Sequence, residues 1–299
     1  LSGPAGAVVA GIELAKLTSF KEMVTLDMGG TSTDISIISN GKVTEVNEGQ
    51  IAEQDIGTPM LEVRTLGAGG GTIASVGPDG LLKVGPKSAG AKPGPACYGL
   101  GGLYPTVTDA NLVLGTLDQN NVLGGSMSLD TTSAERSIND EIAVPLGISL
   151  TDAAAGILRI VVTNMAVELR LAFLSRGQDA RKFSLGAFGG AGPLHATLLA
   201  RELGMPTVVV PVYPGINSAL GLLQTTVRHV YLQSSVSRLS ETSTDEVDNL
   251  FENLEKRAEV DLREENFDLN DVKFLRQIDM RYQYQGYQIP VNCPIALTT

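Results

Sequence analysis

The sequence predicts an α/β fold in which a mixed sheet is flanked by helices, and three stretches support this prediction. Met23-Val-Thr-Leu-Asp27 is short and apolar with β-branched residues, which is typical of a buried strand. Phe183-Ser-Leu-Gly-Ala-Phe188 is a second predicted strand, and it leads through a glycine-rich turn into a helix over about Leu194–Leu203. From Thr151 to about Ser175, apolar residues recur at three- and four-residue steps, so we expect a long helix with one face in the core.

The composition is that of an ordinary soluble globular protein, and it excludes some functions. Of the 299 residues, 43% are hydrophobic and 18% are charged. The net charge of −11 argues against nucleic-acid binding, which needs a basic surface. No apolar run reaches the roughly 18 residues of a membrane helix, and no signal peptide is expected. Two cysteines, Cys97 and Cys293, favour a reducing, cytoplasmic location.

The most informative stretch is Asp27-Met-Gly-Gly-Thr-Ser-Thr-Asp34, which predicts two strands joined by a tight glycine loop, with a third strand after the Asn40-Gly41 turn. Glycines at the tip let the backbone approach a ligand closely. The loop offers N–H groups and hydroxyls to one anion. The flanking carboxylates, Asp27 and Asp34, are candidate catalytic residues; they would repel a bare phosphate, so we expect Mg²⁺ with its waters in between, with Asp27 as its carboxylate. The candidate phosphate-binding residues are Gly29, Gly30, Thr31, Ser32 and Thr33.

This D-x-G-G-T-x-T-D pattern has more matched parts than an ordinary glycine-rich hairpin, which is the alternative interpretation. It is not a Walker loop, because no lysine follows the glycines and no G-x-x-x-x-G-K-[ST] pattern occurs. It resembles instead the phosphate hairpin of the actin, sugar-kinase and Hsp70 superfamily of ATPases. The resemblance implies an actin-like, ribonuclease H-like ATPase lobe with ATP and Mg²⁺ as cofactors.

Two further glycine-rich loops are candidates for nucleotide contact. Gly67-Ala-Gly-Gly-Gly-Thr72 lacks the third glycine of the dinucleotide fingerprint, so phosphate-binding and purely structural roles both stay open. Gly189-Gly-Ala-Gly-Pro193 follows a strand and opens a helix, which favours contact with a ribose or phosphate over a plain connection. The candidate residues in these loops are Gly69, Gly70, Gly71, Thr72, Gly189, Gly190, Ala191 and Gly192.

Three other side chains are weighed as site residues. Asp109, in Pro105-Thr-Val-Thr-Asp-Ala-Asn111, either caps the helix that follows or is an exposed carboxylate for a metal or substrate, which would make it a third candidate catalytic residue. Cys97 has no cysteine or histidine partner nearby in sequence and is expected to be a free thiol. His195 lies early in its helix and is expected to pack or cap rather than bind a ligand.

The rest of the chain completes the predicted organisation. Residues 1–238 are expected to form an ATPase-like domain, and residues 239–299 a helical and strand extension that begins a further subdomain. The other predicted elements are a helix at Ser2–Lys16, strands at Met60–Thr65, Pro206–Pro211 and Val227–Val236, an inserted Gly- and Pro-rich loop without regular structure at Gly85–Gly102, a loop at Gly215–Ser218 that faces the active cleft, a charged helix within Thr242–Asp268 and a hairpin within Asp271–Val291.

Six stretches in this order carry a closer resemblance. The sequence is similar to the hydantoinase A / 5-oxoprolinase family, also called N-methylhydantoinase A-like proteins, over residues 1–221, and the similarity is weaker beyond Arg238. The stretches are Leu1-Ser-Gly-Pro-Ala-Gly6, Asp27–Asp34, Gly67–Thr72, Lys92-Pro-Gly-Pro-Ala-Cys-Tyr-Gly99, Pro105–Asn111 and Phe188-Gly-Gly-Ala-Gly-Pro-Leu-His-Ala196.

The resemblance implies ATP-dependent opening of a cyclic amide such as hydantoin, 5-oxoproline or a related lactam. Phosphorylation of the ring carbonyl oxygen would make the amide carbon open to attack by water, and a B-type companion subunit or domain would complete hydrolysis. Family members also carry an earlier lobe with its own D-x-G-G-T hairpin, which this chain lacks. The Asp27 loop then corresponds to the second phosphate hairpin, and we expect a piece of a longer polypeptide that does not turn over ATP alone.

Two alternatives to the cyclic amide hydrolase stay open. Related subunits of acetone- and acetophenone-type carboxylases phosphorylate the enol of a ketone. A nucleotide-gated binding module, as in Hsp70, would use ATP to move a lobe without small-molecule chemistry. ATP consumption that depends on a cyclic amide, on a ketone, or on neither distinguishes these three readings.

Overall fold

The computed structural model describes residues 2–46, 49–51, 54–56, 60–120 and 125–294. The chain forms two compact units, residues 1–225 and 226–299. The division falls before the boundary predicted at residues 238 and 239, because the start of the second unit bonds within that unit. Tyr231 donates a hydrogen bond to Asp261, and His229 lies 3.1 Å from Glu265.

The strands of the described ranges are short, and most belong to one mixed sheet or to small hairpins. They are β1 (Met23–Met28), β2 (Thr33–Ser39), β3 (Lys42–Val43), β4 (Glu45–Val46), β5 (Gly49–Ile51), β6 (Gln54–Ile56), β7 (Met60–Leu61), β8 (Arg64–Leu66), β9 (Thr72–Val76), β10 (Leu82–Ser88), β11 (Ser184–Phe188), β12 (Val208–Val209), β13 (Arg276–Met280) and β14 (Ile289–Cys293).

The mixed sheet at the centre of the first unit has the strand order β12-β11-β1-β2-β3, and β8 pairs with the other end of β2. Strands β2, β3 and β8 are antiparallel to their neighbours, whereas β11 runs parallel to β1 and β12 runs parallel to β11. This confirms the predicted mixed sheet. The strand expected at Pro206–Pro211 is also parallel, although only two of its residues pair.

The helices of the first unit flank this sheet. They are α1 (Ser2–Thr18), α2 (Val107–Val113), α3 (Thr131–Ile138), α4 (Val144–Leu146), α5 (Leu150–Leu174), α6 (Gly192–Leu203) and α7 (Asn217–Leu223). Helix α8 (Thr244–Glu264) belongs to the second unit. The long predicted helix is confirmed as α5, which begins where the Ser149 hydroxyl accepts the N–H of Asp152. Its apolar residues at helical spacing are buried, as the pattern predicts.

Alternation along β1 places the core on both faces of the sheet. Val24, Leu26 and Met28 belong to the main apolar cluster with α5 and α6. Met23 points the other way and packs with Leu14 of α1 in a smaller cluster. Because both faces of β1 are covered, most of its side chains are apolar and buried. Thr25 is polar but buried, and Asp27, near the end of the strand, is half-buried.

Two local predictions were wrong. The strand expected over Met60–Thr65 is divided into β7 and β8, which pair with different partners, β4 and β2. The Gly85–Gly102 stretch is not free of regular structure, because β10 continues to Ser88 and residues Ala96–Tyr98 form a 3₁₀ turn. The register of β10 against β9 shifts between Val84 and Ser88, which accommodates Pro86 without a ladder hydrogen bond.

The second unit consists of α8 and the hairpin of β13 and β14, which confirms the predicted charged helix and hairpin. Its anchor is Arg276, whose guanidinium bonds to Glu255 and Asp248 on α8 and lies 5.2 Å from the centre of the Phe251 ring. The strand predicted at Val227–Val236 is wrong: the segment pairs with no strand of the described residues, and it is irregular and largely exposed. Within the described residues, no helix has the length and apolar character needed to cross a membrane.

Candidate functional site

The loop between β1 and β2 forms an exposed tip. Antiparallel pairing of the two strands places Asp27 opposite Asp34. The N–H of Gly29 donates to the carbonyl of Ser32 at 3.0 Å, which closes the turn. Gly30 at the tip is exposed, and a methyl group added there would have no atom within 4 Å. The predicted strand, glycine loop and strand are confirmed, with one carboxylate at each side of the tip.

Several hydrogen-bond donors at this tip have no acceptor among the described residues. In the part of the chain that the structure describes, no hydrogen bond is made by the N–H groups of Gly30 and Thr31 or by the hydroxyls of Thr31 and Ser32. Consecutive unused N–H groups at a turn are the usual basis of an anion site. Thr33 requires a correction: its side chain is fully buried, and its hydroxyl donates to the carbonyl of Ala68 at 2.5 Å, so it does not face a ligand.

Asp27 is half-buried between two segments that are remote in sequence. The Ser218 hydroxyl of α7 donates to Asp27 Oδ2 at 2.5 Å. On the other side, a methyl group added to Gly189 would come within 2.5 Å of Asp27 Oδ1. Burial raises the pKa of the Asp27 carboxyl, and the charge of Asp34 adds to this, while the hydrogen bond from Ser218 opposes it. The predicted loop at Gly215–Ser218 therefore reaches the site through Ser218.

Asp34 has a matching arrangement on the neighbouring strand. The Thr65 hydroxyl of β8 donates to Asp34 Oδ1 at 2.5 Å. Thr65 is exposed and Asp34 is half-buried, so this bond lies at the surface. Sequence reasoning missed Thr65, because nothing in the broken strand around it indicates that its neighbour across the sheet is a carboxylate.

The second glycine loop, Gly67–Thr72, lies beneath the hairpin and does not offer its amides to a ligand. The N–H groups of Gly70 and Gly71 donate to the carbonyls of Gly29 and Gly30, at 3.0 and 2.6 Å. The N–H of Gly69 donates to the Thr72 hydroxyl. A methyl group on Gly69 would meet the backbone of Thr31 at 2.6 Å. The phosphate-binding role predicted for Gly69, Gly70, Gly71 and Thr72 is replaced by support of the first loop, and these four residues are buried.

The third glycine loop joins β11 to α6 and contacts the end of β1. Gly189 has a positive φ of 81°, which disfavours any residue with a Cβ, and the N–H of Ala191 donates to the carbonyl of Met28 at 2.9 Å. Gly190 is exposed, and no atom lies within 4 Å of an added methyl group there. A methyl group on Gly70 would lie 3.9 Å from Ala191, so all three glycine loops meet around the hairpin tip.

Asp109 is fully buried, so the alternative that it is an exposed carboxylate for a metal or substrate was wrong. It is the third residue of α2 and forms a capping box with Thr106, which donates through both its N–H and its hydroxyl, at 2.8 and 2.7 Å. Its carboxylate also accepts the N–H groups of Ala96 and Cys97, at 3.3 and 2.8 Å. The alternative interpretation as a helix cap is confirmed. Burial and the neighbouring carboxylate of Asp109 raise the pKa of the Cys97 thiol far above its ordinary value.

His195 is also fully buried, in the first turn of α6. Its Nε2 lies 3.4 Å from the side-chain nitrogen of Asn111 on α2, and its Nδ1 has no hydrogen-bond partner among the described residues. Burial lowers the pKa of His195 to about 4, so the ring is neutral near pH 7. The packed histidine expected from the sequence is confirmed. It joins the helix that follows the third glycine loop to the helix that follows Pro105.

A metal site at the tip would be an open one. Within the described ranges, no group of three or more His, Cys, Asp or Glu side chains is placed to hold a metal ion. Asp27 and Asp34 offer hard oxygen donors, and Mg²⁺ is typically held by one or two carboxylates together with waters and phosphate oxygens. The two carboxylates and the unused donors of Gly30, Thr31 and Ser32 therefore fit a magnesium-bound phosphate.

The chain matches one family model over most of its length. The family model described as "Hydantoinase/oxoprolinase" matches residues 1–231. The chain belongs to the hydantoinase/oxoprolinase family. The family match ends between the division of the two compact units and the boundary predicted from the sequence.

The chain is similar in sequence and in structure to a caprolactamase. It is 39% identical to the caprolactamase subunit alpha of Pseudomonas jessenii, over 97% of the chain and 42% of that protein. Its fold is similar to the crystal structure of the ATP-dependent caprolactamase from the same organism, with a TM-score of 0.80 and 36% identity over 98% of the chain and 43% of that chain.

A second solved structure is acetone carboxylase in a nucleotide-free state, from work on ATP-dependent acetone carboxylation. The TM-score is 0.84 and the identity 28%, over 98% of this chain and 43% of that one. The chain thus spans about two fifths of the length of these relatives. The high TM-scores show that its mixed sheet with flanking helices is the architecture of the matching part of both enzymes.

Proposed function

We propose that the chain is one ATP-binding lobe of an enzyme that opens a cyclic amide such as caprolactam, hydantoin or 5-oxoproline. The observation that carries the proposal is the β1–β2 tip, where unused amide and hydroxyl donors lie between two carboxylates. The sequence identity of 39% to a caprolactamase subunit supports a cyclic amide as the substrate class.

We also infer that this lobe has the actin-like, ribonuclease H-like fold. Strands β1 to β3 follow one another through tight turns in one half of the sheet, and parallel strands β11 and β12 continue the other half, joined by α6. The glycine loops at the end of β1 and at the start of α6 then lie on the same edge of the sheet. That edge is where a nucleotide is expected to bind.

In the proposed site, the residues of this chain bind and orient. Gly30, Thr31 and Ser32 would donate hydrogen bonds to phosphate oxygens, and Gly190 would let the nucleotide lie against the start of α6. Asp27 and Asp34 would hold Mg²⁺ through its waters. Bound ATP would supply the phosphoryl group that activates the amide carbonyl oxygen. The second glycine loop holds the hairpin tip through the hydrogen bonds from Gly70 and Gly71. Donors that are already in position stabilise a developing charge without the cost of ordering them during the reaction.

A second candidate function is a subunit of an ATP-dependent carboxylase that acts on a ketone. The TM-score of 0.84 to acetone carboxylase favours it, since this value is as high as that for the caprolactamase. Both candidates need the same phosphate site and differ in the substrate. A nucleotide-gated binding module is the third reading and would require no small substrate.

Partners follow from the same proposal. The chain covers 42% of a relative that is itself called a subunit, so we propose that a further lobe of the same polypeptide and a companion subunit complete the enzyme. Hydantoinase B-type proteins are the companions that the family resemblance implies. The small cyclic amide would bind where this lobe meets the rest of the enzyme.

The test is phosphate release from Mg·ATP by the intact protein with its companion subunit. The substrates are hydantoin, 5-oxoproline, caprolactam, and acetone with bicarbonate. We expect one cyclic amide to stimulate phosphate release and to give the ring-opened product in equal amount. A variant with Gly30 replaced by a bulky residue, Gly30→Val, is the control, because it blocks the tip without an interior contact.

Stimulation by acetone with bicarbonate alone would move the protein to the carboxylases. ATP binding without stimulation by any substrate would favour the nucleotide-gated module. Absence of ATP binding by the intact, folded protein would contradict all three readings.

A further inference from the structure

The carboxylate of Asp27 is fixed by two segments that lie far from it in sequence. Ser218 donates to Oδ2 at 2.5 Å, and Gly189 packs so closely on Oδ1 that an added methyl group would come within 2.5 Å of it. A half-buried aspartate that was free to rotate would occupy several rotamers. Contacts on both oxygens leave one orientation, in which the carboxylate lies beside the exposed loop tip.

The position of Ser218 is set by an unusually close crossing of α1 and α7. A methyl group added to Gly6 of α1 would clash with the carbonyl oxygen of Ser218 and would lie 2.8 Å from Leu222 Cγ. A methyl group added to Gly221 of α7 would lie 2.7 Å from the backbone nitrogen of Ala10. The two helices therefore touch backbone to backbone, which only small residues allow.

Helix α1 is in turn seated on the sheet that carries Asp27. Gly11 lies directly against the Thr25 side chain of β1, and an added methyl group would also be 3.1 Å from Ile38 of β2. The chain of contacts thus runs from β1 to α1, from α1 to α7, and through Ser218 back to Asp27 on β1. The first two steps depend on glycines, at Gly11 and at Gly6 and Gly221, and these close contacts restrict the distance between Ser218 and Asp27.

The hydrogen bond of Ser218 is not one that its own helix requires. A serine in the first turn of a helix ordinarily bonds to neighbouring backbone groups. Here the hydroxyl reaches a carboxylate that is 191 residues away in sequence. Its acceptor is the residue that the proposed function assigns to the magnesium waters, so the bond links α7 to the site.

We propose that Ser218 is a positioning residue for Asp27, and that the close crossing of α1 and α7 at Gly6 and Gly221 holds it in place. The proposal rests on the proposed function, because it gives Asp27 the metal-facing role. Partners that orient a metal-binding group from the second layer typically change metal affinity about tenfold to a hundredfold when they are removed.

The test measures binding of Mn²⁺·ADP to the intact protein by electron paramagnetic resonance, without turnover. We expect Ser218→Ala to weaken Mn²⁺ binding in the presence of ADP by about tenfold or more. Ser218→Thr keeps the hydroxyl and should restore the affinity to within about threefold of the wild type. Affinity for ADP without the metal should change little, because Ser218 contacts the carboxylate and not the phosphate loop.

A matched pair of glycine variants tests the helix crossing. Gly6→Ala introduces a clash with the Ser218 carbonyl, whereas Gly3→Ala on the same helix meets no atom within 4 Å. Gly6→Ala should weaken Mn²⁺·ADP binding as Ser218→Ala does, and the double variant should be no weaker than either alone. Gly3→Ala should match the wild type. Thermal unfolding of each variant establishes that it is folded.

The outcomes separate the two proposals. If the wild type binds Mn²⁺·ADP and Ser218→Ala binds it equally well, the positioning role is wrong while the proposed function stands. If Ser218→Thr is as weak as Ser218→Ala, the hydroxyl is not what matters, and the positioning role is also wrong. If the folded wild type does not bind Mn²⁺·ADP, the proposed function fails, and the role of Ser218 fails with it.

Discussion

Two carboxylates of the first unit, Asp27 and Asp109, differ in how many hydrogen bonds the surrounding chain donates to them. Asp109 is fully buried, and four donors of its own chain converge on its two oxygens. Asp27 is half-buried, accepts a hydrogen bond from the Ser218 hydroxyl, and lies against Gly189 and opposite Asp34. One region satisfies its charge internally, and the other leaves it for a ligand.

This difference shows how to separate a structural carboxylate from a functional one when both follow a conspicuous motif. The decisive quantity is the number of donors that the folded chain supplies to the carboxylate. Asp109 has enough donors to stabilise its charge without any ligand, so its motif fixes a loop. Asp27 is destabilised by burial and by a like charge, and the raised pKa of its carboxyl reports this. A bound cation would reverse that effect.

The largest expected effect is loss of the Asp109 carboxylate. Asp109→Ala leaves the buried N–H groups of Cys97 and Thr106 without an acceptor, so the free energy of unfolding should fall by about 4 kcal/mol. Urea denaturation measures it. Asp152→Ala is the control, because Asp152 holds the same position in the cap of α5 but is exposed. That control should cost about 1 kcal/mol or less, and equal losses for the two variants would contradict the distinction.

The second effect is a pH dependence that arises from His195. Burial lowers the pKa of this ring from 6.5 in its ordinary state to about 4 in the folded protein. Between these values the unfolded chain binds more protons, so the free energy of unfolding falls as the pH decreases from 6.5 towards 4. The full difference is about 3 kcal/mol. His195→Gln should remove this part of the pH dependence, and denaturation curves at several pH values compare it with the wild type. Parallel curves would show that His195 is accessible to protons in the folded state.

The third effect separates ligand binding from stability at Asp27. Asp27→Asn keeps an acceptor for the Ser218 hydroxyl, so the free energy of unfolding without ligand should change by less than about 1 kcal/mol. The extra stability that Mg·ATP gives to the wild type should fall by about 1.4 kcal/mol or more, which corresponds to a tenfold loss of affinity. Thermal unfolding with and without Mg·ATP measures both quantities. An equal loss of stability in the two conditions would assign Asp27 a structural role like that of Asp109.

The smallest effect is expected at Thr65. Its hydrogen bond to Asp34 is exposed to solvent, so water replaces the hydroxyl in Thr65→Val, and stability should change by about 0.5 kcal/mol. Calorimetric titration with Mg·ADP should show at most a threefold change in affinity. A loss as large as that expected for Ser218→Ala would show that the orientation of Asp34 matters as much as that of Asp27.

Local patterns predicted much of the fold. The β1–β2 hairpin, the long helix α5 and the helix and hairpin of the second unit follow from periodicity and glycine placement, which act within a few residues. The strand predicted at Val227–Val236 was wrong because alternation describes side chains, whereas a strand also needs a partner for its backbone. The division of Met60–Thr65 likewise depends on pairing with β2 and β4, which a local pattern does not contain.

The sequence predicted which segments form the candidate site, but it did not predict the role of each residue in them. All three glycine loops were recognised, yet only the structure shows that the loop of Gly69 and Gly70 lies under the hairpin with its N–H groups in use. The hydroxyl of Thr33 is buried because a distant segment supplies its acceptor, Ala68. Asp109 is buried because its own helix cap and the nearby loop of Ala96 and Cys97 converge on its carboxylate. Ser218 meets Asp27 through a helix crossing, and no spacing in the sequence encodes that contact.

The loop of Ala96 and Cys97, which is held by hydrogen bonds to Asp109, contains a thiol whose rate of chemical modification can be measured. Cys97 is a free thiol with no exposed surface, and Cys293, the other cysteine, is partly exposed in the second unit. A thiol reagent should therefore modify Cys293 quickly and Cys97 only when the segment bound by Asp109 opens. At a reagent concentration high enough for labelling to outpace closing, the slow phase gives the opening rate of that segment. Measuring the labelling rate of Cys97 with and without nucleotide would show whether nucleotide binding at the hairpin tip changes the opening of this buried loop.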